Sequence, residues 1–160
     1  MSHKPPSEPL RFYEADSPET LARLKDVFSH GALKDTGKII ISGTNNNFLG
    51  STEVQNGTLT LNAGSSLGSG TLTMNALGGV ATLELNESAS VSSLVSGASP
   101  SANSIIAIAD GKTLTVNETT TRTFGTTVGS STFAINGAGA LTMAGSGELI
   151  LDGTNNYTGL

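Results

Sequence analysis

The chain has 160 residues, of which 36% are apolar and 4% aromatic, and its formal net charge is −5. This apolar fraction lies below the roughly 45–50% of ordinary globular domains, so it favours an elongated repeat fold with a narrow core. The negative charge argues against nucleic-acid binding, which needs a basic face. The absence of Cys excludes disulfides and thiolate chemistry.

The segment 1–36 differs from the rest because it holds most of the charges, both His and four of the five Pro. Ser17 can cap a helix that has Pro18 at its first position, which predicts a helix over about 18–30. Its apolar stripe would be Leu21, Leu24, Val27 and Phe28. A helix this short needs a surface to pack on. We therefore predict a leader (1–36) whose helix caps a repeat domain (37–160), with a partner-docking helix or a tag-like leader as alternatives.

From residue 39 onward, apolar residues are spaced by two within short segments that Gly, Asn and Ser separate. This spacing predicts β-strands with one buried face. The pairs are Ile39/Ile41, Leu59/Leu61, Leu72/Met74, Leu83/Leu85, Leu114/Val116, Phe133/Ile135, Leu141/Met143 and Leu149/Leu151. Because the strands are short and two-residue hairpin turns are scarce, an all-β parallel β-helix is favoured over a sandwich or a barrel.

An asparagine directly follows the second apolar residue of five strands, at Asn62, Asn75, Asn86, Asn117 and Asn136. Asparagine tolerates the left-handed backbone region, so it suits a sharp corner that recurs in every turn. Asparagines stacked at such corners can also form hydrogen-bonded ladders. The sequence therefore predicts left-handed asparagine corners that stack along the solenoid.

Two segments are near-copies, GKIIISGTNNNFLG at 37–50 and GELILDGTNNYTG at 147–159, and the second is expected to begin a new unit of the repeat. They resemble the passenger-associated transport repeat of bacterial autotransporters, and the resemblance covers about residues 37–160, with a poor match over 88–132. It implies a right-handed parallel β-helix at the outer-membrane surface or outside the cell. It also implies a non-enzymatic stalk or scaffold that projects other regions or aids their export. No signal peptide or translocator barrel is visible, so the partners would be other parts of a larger passenger.

No residue pattern predicts a catalytic, cofactor or metal site. His3 and His30 lie outside the repeats, and we expect Glu84, Glu87 and Glu118 to be solvated surface charges. An enzyme acting on polysaccharides would need a cluster of acids that the sequence does not show. No apolar run is long enough for a membrane span.

Threonines take the outward positions of three strands, at Thr58, Thr60, Thr71, Thr73, Thr113 and Thr115. On one flat face they would resemble the surface of ice-binding β-solenoids, so binding of ice or a flat carbohydrate is a lesser alternative function. The simpler explanation is that β-branched residues favour exposed strand positions.

The end of the chain suggests a second function. Leu149, Leu151 and Tyr157 would form a last rung that nothing after Leu160 covers, and an open strand edge is a template for another chain. Head-to-tail stacking of neighbouring copies into an extracellular fibre is therefore the main alternative to a stalk.

Overall fold

A computed structural model describes residues 37–44, 50–97, 103–125 and 132–159, so the predicted capping helix with Leu21, Leu24, Val27 and Phe28 lies outside the described residues. The described part is all β, with fourteen strands. They are β1 Lys38–Ile41, β2 Thr52–Val54, β3 Gly57–Leu61, β4 Thr71–Met74, β5 Val80–Leu85, β6 Ala89–Val91, β7 Ser93–Ser96, β8 Asn103–Ile108, β9 Thr113–Val116, β10 Thr121–Phe124, β11 Thr132–Gly137, β12 Ala140–Met143, β13 Glu148–Leu151 and β14 Asn156–Tyr157.

The strands form a parallel β-solenoid with three faces, which confirms the predicted architecture. Face 1 is a six-stranded sheet in the order β1-β3-β5-β8-β11-β14. Face 2 contains β2-β4-β7, with β10-β13 packed beyond β7, and face 3 contains β6-β9-β12. Every strand pairing is parallel. The right-handed winding stays a prediction.

Turn length varies along the stack. Ser42 and Asn62 occupy equivalent places on successive turns and lie 20 positions apart, whereas Asn62 and Asn86 lie 24 positions apart. On face 3, Ser90 pairs with Thr115, 25 positions further along, and Thr113 pairs with Ala140, 27 positions further along. The loops between strands therefore differ from turn to turn, while the strand pairing continues.

Because of this variation, the two near-copies occupy different phases of the solenoid. The first supplies β1 on face 1, and the second supplies β13 on face 2. The two copies are therefore not equivalent positions of the solenoid, since the chain between them does not make a whole number of turns, and the new repeat unit at 147–159 stays a prediction.

The core is a column of inward side chains, one or two from each strand, as the alternation predicts. Its predicted members with at most 1% exposure are Ile41, Leu59, Leu61, Leu72, Met74, Leu83, Leu85, Leu114, Val116 and Ile135. Burying each side chain contributes roughly 1.5–3 kcal/mol. The stretch 88–132, which matches the repeat poorly, contributes to the same core. It supplies strands β6 to β10, and its inward residues Val91, Leu94, Ile106, Ile108 and Phe124 are buried. Inward apolar residues, and not the repeat motif, sustain the stack.

The asparagine corners differ from the prediction in backbone conformation. Among the described residues only glycines have positive φ, for example Gly64 at 80° and Gly111 at 67°. The asparagines instead prolong the strand pairing, since the Asn62 N–H donates to Ile41 O at 2.9 Å. The predicted ladder does form at one corner, where Asn86 Nδ2 donates to Asn62 Oδ1 at 3.1 Å and Asn62 Nδ2 donates to Ser42 Oγ at 3.4 Å.

The backbone gives the solenoid a direction. The carbonyls of the inward residues Ile41, Leu61 and Leu85 each accept an N–H from the next turn at 2.9 Å. Because the N–H and C=O of one strand residue point to the same side of the strand, inward residues bond to the following turn and outward residues to the preceding one. Each turn therefore presents the peptide groups of its inward residues to whatever follows it.

Candidate functional site

The six predicted threonines do not share one face. Thr58 and Thr60 lie on β3 of face 1, Thr71 and Thr73 on β4 of face 2, and Thr113 and Thr115 on β9 of face 3. None of them is fully exposed, and Thr60 is only 3% exposed. The expected flat Thr-x-Thr array is therefore not formed, because consecutive strands turn onto different faces.

Thr60 is covered by a charged cluster that joins three turns. Glu84 Oε2 accepts hydrogen bonds from Thr60 Oγ1 at 2.6 Å and from Lys38 Nζ at 2.9 Å. The Thr60 hydrogen bond, followed by the one from Lys38, holds the pKa of Glu84 below its ordinary value. Glu84 keeps the exposure expected of a surface charge, with 37% of its side chain exposed, but stacking also brings residues that are 24 and 46 positions away to its carboxylate.

A second carboxylate, Glu87, also bridges turns. It accepts the N–H of Gly64 at 3.0 Å, a bond from Lys112 Nζ at 3.0 Å and the N–H of Ser88 at 3.0 Å. These contacts, that of Gly64 first, lower the pKa of Glu87 to about 2. The Glu87 carboxylate therefore links the preceding turn, through Gly64, to the following turn, through Lys112.

Glu118 departs furthest from the sequence prediction, because it is 3% exposed rather than solvated. Ser93 Oγ donates to its Oε2, and Thr120 Oγ1 donates to its Oε1 at 3.1 Å, while Arg122 Nε lies 3.9 Å away. Burial acts to raise the pKa of Glu118, but these hydrogen bonds outweigh it, and the pKa lies below its ordinary value. The pair Glu118 and Ser93 joins face 2 of one turn to the corner of the next.

Each of these three acids has its own set of hydrogen-bond partners. The described residues contain no group of three or more His, Cys, Asp or Glu side chains placed to hold a metal ion. His3 and His30 lie outside the described residues. No helix in the described part of the chain is long and apolar enough to cross a membrane.

The last described turn presents a different kind of surface, which we name the terminal rung and define as β12, β13 and β14. Each of these strands is the last in its sheet, so its outer edge pairs with no other strand among the described residues. The predicted Leu149, Leu151 and Tyr157 all lie here and are half-buried against the core. Leu141 is half-buried beside them, although the sequence pattern does not assign it to this surface.

Two large apolar side chains of the terminal rung are exposed, Ile150 at an outward position of β13 and Met143 at a predicted inward position of β12. Ile150 is 42% exposed and Met143 is 36% exposed, whereas Met74 of a central turn is fully buried. The spacing of Leu141 and Met143 predicts an inward Met143, and its exposure departs from that prediction. It lies in the last described turn, where no further strand among the described residues covers it.

Comparison with protein-family models, with curated proteins and with solved structures found no match to this chain.

Proposed function

We propose that this protein is a non-enzymatic structural stalk or scaffold. The observation that carries the proposal is the parallel stack, in which the six strands of face 1 pair without interruption over one aliphatic column. Such a fold gives length and stiffness from few apolar residues, since each repeat needs only its neighbours. A stalk needs both length and stiffness. The narrow core of a solenoid also agrees with the low apolar content of the chain.

Side-chain bridges between turns support a mechanical role. Lys38 and Glu84 are two turns apart along face 1, and Glu87 joins Gly64 to Lys112 across a similar span. On face 2, Asn75 Nδ2 donates to Glu53 Oε1 at 2.8 Å. A force along the solenoid axis must break these bonds together with the backbone ladder. The polar outer residues therefore work as links between turns.

We further propose that the stalk belongs to a surface or secreted protein of a bacterium, where it projects or helps to export neighbouring regions. The support for this part is the resemblance of GTNN-containing segments 37–50 and 147–159 to the autotransporter repeat. The solenoid fold is compatible with that resemblance. Other parts of a larger passenger are the expected partners.

A single-molecule pulling experiment tests the mechanical role. The full chain is held by handles at its two ends, and its extension is recorded under rising force. A stalk is expected to stay folded at low force and to lengthen in a few cooperative steps. Lys38→Ala and Glu84→Gln are expected to lower the first unfolding force. Extension that rises smoothly from the lowest forces, as for an unstructured chain, would refute the proposal.

A further inference from the structure

Face 2 is not paired along its whole length. Its three-stranded part ends at β7, Ser93–Ser96, and its two-stranded part begins at β10, Thr121–Phe124. These two strands pack against each other but do not pair. We infer that this break is a hinge, at which face 2 opens while the other two faces stay paired. The inference goes beyond the proposed function, because a hinge is a property of the fold whether or not the protein is a stalk.

The other two faces cross the same step without a break. On face 1, all six residues of β5 pair with β8. On face 3, β6 pairs with β9 up to Val91 and Val116, and the Asn117 N–H then donates to Val91 O at 2.9 Å. The backbone ladder therefore opposes separation of these two turns at faces 1 and 3, but not at face 2.

The length of one corner explains the break. A single residue, Ser92, separates β6 from β7, whereas the four residues 117–120 separate β9 from β10. In the following turn four residues, 144–147, separate β12 from β13, and β13 pairs with β10 along all of its residues. Strands that follow corners of equal length therefore pair, while the step from one corner residue to four displaces β10 from β7.

A buried side-chain bridge spans the break. Glu118 belongs to the long corner, is only 3% exposed and accepts a hydrogen bond from Ser93 Oγ at the start of β7. Within its own turn it accepts Thr120 Oγ1 at 3.1 Å and the Thr120 N–H at 3.4 Å, and Arg122 Nε of β10 lies 3.9 Å away. The hydrogen bond from Ser93 to Glu118 therefore ties β7 to the segment that leads into β10, and we name it the latch.

The peptide groups of β10 show which amides lie at the break. Thr120 O and Phe124 O accept N–H groups of the following turn at 3.0 and 2.9 Å, so Thr121 and Thr123 direct their peptide groups toward β7. Beneath the break, Leu94 and Phe124 are fully buried. Opening of the hinge would therefore bring water to the amides of Thr121 and Thr123 first.

Amide hydrogen exchange of the full chain, followed by NMR, tests the hinge. We expect the amides of Thr121 and Thr123 to have protection factors roughly tenfold or more below those of Ile105 and Thr115, which hold the same outward phase on paired faces. Opening of one face exposes little surface, so urea should accelerate exchange of the first pair only weakly. Equal protection and equal urea dependence of the two pairs would overturn the proposal.

The amide of Ile150 distinguishes a hinge from fraying of the last described turn. Ile150 of β13 lies opposite Thr123 of β10, and its N–H faces β10 because the Glu148 N–H, two residues earlier, donates to Thr120 O. If face 2 opens at the break, β10 and β13 move together, so Ile150 should be better protected than Thr123. Protection of Ile150 equal to or below that of Thr123 would mean that β13 leaves first, which overturns the hinge.

A matched pair of serine variants tests the latch. Ser93→Ala removes the donor to Glu118 and should lower the protection of Thr121 and Thr123 by roughly tenfold or more, since it removes a hydrogen bond to a charged group. Ser90→Ala is the control, because Ser90 Oγ accepts a side-chain amide of the next turn at 2.9 Å but lies on the paired face 3. It should leave the two amides unchanged. Equal effects of the two variants would overturn the assignment of the latch.

Glu118→Gln provides a second test of the latch if Ser93→Ala does not fold. Glutamine keeps an acceptor for Ser93 but lacks the charge, so the protection of Thr121 and Thr123 should fall by a smaller factor, roughly threefold. Unchanged protection in this variant would contradict the latch. The comparison of β10 with β8 and β9 in the parent chain needs no variant and decides the hinge itself.

Discussion

The hydroxyl of Thr60 donates a 2.6 Å hydrogen bond to Oε2 of Glu84, which lies one turn further along face 1. The same oxygen accepts Lys38 Nζ from the turn before Thr60. A threonine at an outward strand position is thereby buried under two charged side chains. The outer surface of this solenoid is organised by contacts between turns.

Replacing Thr60 tests that contact. Thr60→Val keeps the shape but removes a hydrogen bond to a charged group, so we expect the free energy of unfolding to fall by about 1 kcal/mol after allowance for the partial exposure of Glu84. Thr60→Ser keeps the hydroxyl and should cost less than Thr60→Val. Thr58→Val, at the other outward position of β3, serves as the control and should change stability by under about 0.5 kcal/mol. Equal effects of Thr60→Val and Thr58→Val in urea melts would contradict this assignment.

Leucines of central and terminal turns should differ in their contribution to stability. Leu83 is fully buried, whereas Leu149 is half-buried in the terminal rung. Leu83→Ala is expected to cost about 2–5 kcal/mol through lost burial and the cavity left behind. Leu149→Ala should cost about 1 kcal/mol, because much of its surface is already in water. Urea denaturation measures both variants, and a larger loss for Leu149→Ala would mean that the terminal rung is not the edge of the core.

Acid should destabilise the fold in a defined window. The pKa of Glu87 is about 2 in the folded chain against an ordinary value of 4.5, and the pKa values of Glu84 and Glu118 are also lowered. The unfolded chain therefore binds more protons than the folded chain in this range, so stability is full above about pH 4.5 and falls toward pH 2.

The urea midpoint recorded between pH 7 and pH 2 checks the acid prediction. Glu87→Gln should be less stable than the parent chain at pH 7 and should lose less stability on acidification. A midpoint that rises as the pH falls below 4.5 is the result that this explanation does not allow.

Two buried serines, one without a hydrogen-bond partner and one with, provide a further test. Ser104 is fully buried and its Oγ has no hydrogen-bond partner among the described residues, whereas buried Ser93 donates to Glu118. Ser104→Ala removes an unpaired polar group, so we expect unchanged or higher stability, by up to about 1 kcal/mol. Ser93→Ala leaves the Glu118 carboxylate short of a donor and should cost about 1–3 kcal/mol. Thermal melts compare the two variants, and the opposite order would show that Ser104 is bonded in solution.

The core could be read from the sequence because it depends on local alternation. Ile41, Leu83 and Leu114 are inward because each occupies one side of a strand, and that needs no knowledge of distant residues. The same logic applies to β5, β9 and β11, whose predicted inward residues are buried. The fold class followed from this pattern together with the short strands.

The contacts on the outer surface could not be predicted from the sequence in the same way, because they depend on the number of residues in each turn. Glu84 meets Thr60 and Lys38 only because the lengths of two successive turns align positions that are 24 and 46 apart in the sequence. Turn length also decides that Thr58 and Thr71 lie on different faces. Irregular loops set these lengths, and alternation within strands says nothing about them. Burial of Glu118 has the same origin, since its partner Ser93 is 25 positions away.

The stacking of turns is the central claim, and engineered cysteine pairs test it most directly in a chain that has no Cys of its own. Thr58 pairs with Thr82 on adjacent strands of face 1, and strands about 4.8 Å apart fall within the range that a disulfide spans. Thr58→Cys with Thr82→Cys should therefore form an intramolecular disulfide on mild oxidation, detected as a loss of two hydrogens by mass spectrometry. Thr58→Cys with Thr71→Cys should not, because Thr71 lies on face 2. Cross-linking of Thr58 with Thr71 but not with Thr82 would contradict the three-faced parallel solenoid.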